Sequence, residues 1–312
     1  MAETSAVVRS SSSASYWRVP AAILLLGALL SWLCRAYPGR LPIWLPWEFS
    51  WPEFIVTAFA LWWFLRGLAL TPPQARPAPV RRAAFLLGLG LIYAVLQTRF
   101  DYMAQHMFFL NRVQHVVMHH LGPILIALAC AGPTVKRGMP ATLRRLVESR
   151  PVGAVLGILQ QRVIAVLLFV GLFYFWLVPA VHFRAMLDAQ VYAVMNWSMA
   201  LDGVLFWVLV LDPRPKPPAR FSFGTRAAMA YATTFPEIII GTLITSIHRD
   251  LYPFYALCGR LFPSISPIAD QQIGGIIIWV PPAMMSAAAT LIVFHAFVRH
   301  EDAMAGADAP PG

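Results

Sequence analysis

Charge-poor apolar stretches recur along the whole chain, near 19–36, 53–70, 83–98, 109–131, 163–181, 191–211, 227–247 and 273–296. A helix rises about 1.5 Å per residue, so stretches of roughly 20 residues cross or nearly cross a hydrocarbon core of about 30 Å. In lipid a helix satisfies every backbone N–H and C=O from within its own segment. The expected fold is therefore all-α, a polytopic transmembrane helix bundle of about eight spans. Composition agrees: 59% of the 312 residues are hydrophobic and 12% are charged, about half the charged fraction of a soluble chain.

The basic residues set an orientation. Arg66, Arg76, Arg81 and Arg82 follow the second span, Lys136, Arg137, Arg144, Arg145 and Arg150 the fourth, and Arg214, Lys216, Arg220 and Arg226 the sixth. Short loops rich in Arg and Lys stay in the cytoplasm, which puts both termini inside. The first span follows a serine-rich tail and resembles a signal peptide in length. Cys34 and Arg35 stand where small residues would mark a cleavage site, so it reads as retained. The expected organisation is a disordered tail over 1–16, an extra first span and outer loop over 17–43, a membrane-embedded bundle over 44–300 and a disordered tail over 301–312.

The net charge of +10 comes from 22 arginines and two lysines confined to particular loops. They form no tract with interleaved aromatics, so nucleic acid is not an expected partner. Cys34, Cys130 and Cys258 lie far apart without a C-x-x-C pair, which argues against a thiol redox centre or thiolate metal clip.

Polar residues are concentrated in the fourth span. "NRVQHVVMHH" (111–120) places Asn111, Arg112, His115, Met118 and His119 on one face of a regular helix, with His120 directed elsewhere. Such a face must look into the bundle, because exposing it to lipid costs several kcal/mol. In the sixth span Met195, Met199 and Asp202 share a stripe. Imidazole and thioether together suit copper, and thioether favours Cu(I), so His115, His119, Met118, His106, Met195 and Met199 form a candidate copper site on the outer side. A plainer reading is also open, since methionine packs well in any bundle and histidine can bond to carbonyls. Asp202 and Glu237 fall near mid-span, where a carboxylate must be paired or protonated; they could lock helices or relay protons. In the last span, "DQQIGGIIIWVPP" (270–282) combines glycines that permit close helix approach with a Pro-Pro pair expected to kink the helix at mid-depth.

Over roughly residues 44–298 the chain resembles the CtaG family of cytochrome c oxidase assembly factors, the polytopic type. The resemblance is carried by "VQHVVMHHLGPILIALACAGP" (113–133), "DGVLFWVLVLDP" (202–213), "LYPFYAL" (251–257) and above all "DQQIGGIIIWVPP". Matching positions are Gln114, His115, Pro123, Gly132, Pro133, Asp270, Gln271, Gln272, Gly275, Trp279 and Pro281. The resemblance implies a bacterial inner-membrane protein needed to mature haem-copper oxidases, with copper handling. The wider pattern also places histidines where this chain has Asn111, Leu177, Tyr192 and Asn196.

The function expected is thus a non-enzymatic assembly factor that docks in the bilayer against subunits of a haem-copper oxidase and presents copper at the outer side. Two other classes stay open: a copper or proton transporter using Asp202 and Glu237, and a membrane cytochrome holding haem between histidines. No Ser or Cys triad pattern supports hydrolysis. Oligomeric state is not legible.

Overall fold

The structure is a computed structural model that describes residues 2–307, with side chains over 17–305. Over 2–16, where a tail is expected, the backbone is helical and the side chains lie outside the described residues, as does the end of the second tail. Eight long helices occupy the eight expected places: α1 Ala2–Ala36, α2 Trp51–Ala69, α3 Pro79–Gln97, α4 Phe108–Ala129, α5 Arg162–Leu177, α6 Ala189–Val210, α7 Phe223–Ser246 and α8 Pro267–Ala307. No strand occurs among the described residues.

Five of these helices, α1, α3, α6, α7 and α8, are long and apolar enough to cross a membrane. The count reaches seven when α4 is joined to Gly132–Gly138 across a 78° bend, and Arg150–Leu159 to α5 across a 70° bend. Helix α2 is not in that set, for Glu53 and Arg66 lower the hydropathy of its 19 residues. The bundle is inverted relative to a soluble protein. Leu25, Leu167, Ile239, Leu243 and Leu291 are exposed on its outside, while Asn111, Arg112, Gln114, His115, His119, His120 and Glu237 are buried. Such a chain is a multi-pass membrane protein.

The loop after α4 forms the short helices Gly132–Gly138, Ala141–Val147 and Arg150–Leu159. Arginines tie the basic loops together. Arg66 donates to the Gly138 carbonyl at 2.5 Å, Arg137 to Thr71 Oγ1 at 2.6 Å and Arg220 to the Gly157 carbonyl at 2.6 Å. Basic residues far apart in sequence thus gather at one end of the bundle.

At the opposite end the "DQQIGG" segment fastens three helices. Asp270 accepts from the backbone N–H of Phe108 (3.0 Å) and Phe109 (2.8 Å), capping the start of α4 from α8, and Arg260 donates to it at 2.7 Å. A carboxylate placed there satisfies orphan donors and complements the helix dipole. Gln271 donates to the Ile247 carbonyl at 2.9 Å and accepts from Leu251 N–H at 2.8 Å, closing the end of α7. Gly275 meets Gly241 and Thr245, and Gly241 meets the Trp279 ring, so α7 and α8 pack at a separation that a Cβ would prevent. Gln272 is half-buried. Helix α8 continues through Pro281 and Pro282, where a kink is expected, to Ala307, past the start expected for the second tail. Among the described residues the three cysteines are free.

Candidate functional site

Proline at position 123 explains the local geometry of α4. Without an N–H it cannot donate to the carbonyl of His119, four residues back, and its ring crowds that carbonyl. Residues Val117–Leu121 accordingly form a π turn, with the Gly122 N–H bonding to the Val117 carbonyl. The released His119 carbonyl accepts from Trp207 Nε1 of α6 at 3.2 Å. Gly203, one turn earlier on α6, lies against the His119 backbone, where any side chain would collide with it. Gly122 likewise faces Gly88 and Ile92 of α3.

His120, expected to point elsewhere than His119, is also wholly buried, and its Nε2 lies 3.4 Å from Glu237 Oε1 of α7. His119 Nε2 lies 3.3 Å from Asp202 Oδ2 of α6. The two mid-span acids that lacked an evident partner therefore meet consecutive histidines. Phe169 of α5 stacks on His119 with centroids 4.0 Å apart and meets His120 edge-on at 5.1 Å. The His119 ring is thus oriented by the Asp202 carboxylate and the Phe169 face, and His120 packs against the same aromatic ring.

Several buried polar atoms here have no protein partner: both ring nitrogens of His115 and of His120, Nδ1 of His119, Oε2 of Glu237 and Oδ1 of Asn196. The His120–Glu237 approach lacks hydrogen-bond alignment, so neither His120 nitrogen is satisfied by it. Buried polar groups are nearly always paired, so a cluster of exceptions marks a place built for something other than packing.

Toward the capped end, Gln114 knits a separate network. Its Nε2 donates to the Val95 carbonyl (2.8 Å) and to Asp101 Oδ1 (2.6 Å), and its Oε1 accepts from Tyr192 (3.1 Å) and from Asn111 Nδ2 (3.4 Å). Tyr192 also donates to Asp101 at 2.7 Å, and Arg112 Nη2 donates to Asn111 Oδ1. Asn111 and Tyr192 thus occupy one network, where the family pattern implies histidines.

Burial raises the Asp101 carboxyl from 3.8 to about 6, partly offset by hydrogen bonds from Tyr192, Gln114 and Gln105. The folded state then holds this proton more tightly than the unfolded one, so stability is greatest below about pH 4 and falls as pH rises to about 6. Thermal unfolding between pH 4 and 8 should show this decline, worth about 2 kcal/mol. Asp101→Asn should flatten that segment of the profile, and an unchanged slope would refute the assignment.

The remaining candidate residues divide. Met118, Met195 and Met199 are fully buried in one core cluster with Met186 and Phe173. His106 lies apart, tilted against the Tyr102 ring with Nδ1 2.8 Å from the Tyr102 carbonyl. Gly132 and Pro133 open the short helix after the 78° bend. His182 has both nitrogens engaged, 3.2 Å from the Trp176 carbonyl and 2.9 Å from Tyr255 Oη. Among the described residues no three His, Cys, Asp or Glu side chains converge as a metal site. An apolar groove of about 530 Å³ between α1, α2 and α3 contains none of these residues.

No curated protein and no solved structure matches the chain. The family model of the cytochrome c oxidase caa3 assembly factor matches residues 56–300, a span that takes in α4, its π turn, both acid partners and the fastening segment of α8. The chain belongs to the CtaG family of cytochrome c oxidase assembly factors.

Proposed function

We propose that the chain works in the bacterial inner membrane on subunits of a haem-copper oxidase, and that it passes Cu(I) as cargo through α4 and α6. The observation that carries this reading is the set of unpartnered imidazole nitrogens on His115, His119 and His120, next to a core containing Met118, Met195 and Met199. Both donor types are soft enough for Cu(I). Asp202, on Nε2 of His119, favours the tautomer that leaves Nδ1 with a free lone pair. Holding and releasing a cargo ion asks for no catalytic group. The gathered basic loops orient their end toward the cytoplasm, which puts the α4 cap and His115 on the outer side.

The test is a deletion strain complemented with variants. His115→Leu combined with His119→Leu should cut oxidase activity about 10-fold while subunit abundance stays near normal and copper content falls in parallel. Asp202→Asn should weaken Cu(I) affinity of the purified protein about 10-fold, as loss of an outer-shell partner does. Full oxidase activity in the double variant would end the copper reading. Loss of the subunits themselves would replace it with scaffolding.

The two histidine–carboxylate pairs also favour a second reading, proton or copper transport across the bilayer. Proteoliposomes would then acidify or accumulate copper, and would lose this with Glu237→Gln. A haem between histidines is less well supported, because His182 already uses both nitrogens. A Soret band in the purified protein would reverse that judgement.

A further inference from the structure

At the basic end of the bundle a cavity of about 490 Å³ opens where α2, α3 and α4 finish or begin. Arg76, Arg81 and Arg137 line it together with Thr71, Cys130 and Thr134, and no acidic residue does. Two of the guanidinium groups are fixed by one buried residue. The Thr71 carbonyl accepts from Arg76 Nε at 3.0 Å, its Oγ1 accepts from Arg137 Nη1 at 2.6 Å, and Oγ1 donates to the Gly67 carbonyl at 2.7 Å. Arg76 is thus held by Nε alone, and Arg137 by one of its terminal nitrogens. The nearby acids are committed elsewhere, Asp212 to Arg214 at 2.7 Å and Glu148 to Lys136 at 3.6 Å.

Holding three like charges around one cavity is unfavourable unless a counter-charge enters. Guanidinium is the group best matched to phosphate, through paired charge-assisted hydrogen bonds. Ala129 and Pro133 also line it, and Ala129 belongs to the packed core of Phe64, Phe85 and Ala131. Guanidinium groups beside apolar residues at the end of membrane helices fit a phosphodiester attached to a lipid. We propose that this cavity binds the phosphate of an anionic phospholipid, pinning the loop after α2 to the short helix after α4.

Thermal unfolding of the purified full-length protein in neutral detergent tests this, with phosphatidylglycerol, phosphatidylcholine and inorganic phosphate as separate additions. Phosphatidylglycerol should raise Tm at concentrations where phosphatidylcholine does not. The combination Arg76→Gln, Arg81→Gln and Arg137→Gln should abolish the rise. Arg144→Gln, Arg145→Gln and Arg150→Gln, removing equal charge from the neighbouring loop, should preserve it. Inorganic phosphate acting alone to the same extent would uphold the site and identify its ligand as the free anion. Should the first triple variant not fold, Arg81→Gln, which breaks no hydrogen bond within the protein, should weaken phosphatidylglycerol binding in native mass spectrometry about fivefold. Equal stabilisation by phosphatidylcholine, equal loss in both triple variants, or unchanged binding by Arg81→Gln would overturn the proposal.

Discussion

Replacing Asp270 with alanine is expected to destabilise the protein by about 3–5 kcal/mol, because it removes one buried carboxylate on which an arginine and two helix N–H groups depend. The carboxylate is 1% exposed and carries Arg260 as well as the N–H groups of Phe108 and Phe109. For a chain of this size the loss corresponds to a fall in Tm of about 5–8 °C. Thermal unfolding in detergent measures it, and steady-state abundance in membranes should fall with it. Asp270→Asn keeps one acceptor and should lose less. A Tm within about a degree of the parent would show that the α4 cap is dispensable, and the account of the "DQQIGG" segment as a fastening would fail.

Gly203→Val should act on the site itself. The position lies against the backbone of His119, so a side chain cannot be accommodated by a rotamer change; one helix must move. Overpacking of this kind costs about 1–3 kcal/mol, and the movement also draws the His119 carbonyl off Trp207 and the ring off Asp202. Oxidase maturation is expected to fall about 10-fold, by analogy with disturbed ligand positioning, with the protein still present in the membrane. Gly171→Ala is the matched control, since a side chain there meets nothing. If Gly203→Val supports normal oxidase activity, the α4–α6 approach at His119 has no bearing on function.

The fold was legible because lipid permits few shapes: apolar runs of sufficient length gave all eight helices at the expected places. What escaped was whatever depended on partners distant in sequence. Asp270 reads as an ordinary acid at a helix start, and nothing near it points to Phe108, 162 positions away. Arg150–Leu159 was readable in principle from its proline at the first turn and its apolar spacing, though it is too short to be counted among the spans. Asp202 and Glu237 were recognised as needing partners, and only the packing of α4 between α6 and α7 supplied His119 and His120.

That His120 leaves the face of His119 follows from helical spacing, but that it meets Glu237 of α7 depends on packing and was not legible. Pro281 and Pro282 both lie inside α8, which continues as a helix past them.

The widened turn at 117–121 also changes how scanning data across this span should be analysed. A cysteine-accessibility or tryptophan scan from 108 to 129 should fit two separate sinusoids with a slip of phase between them. Forcing one angular period on the whole series would assign the second half of the helix to the wrong neighbours, and the same offset applies when side chains of a related chain are projected onto this one.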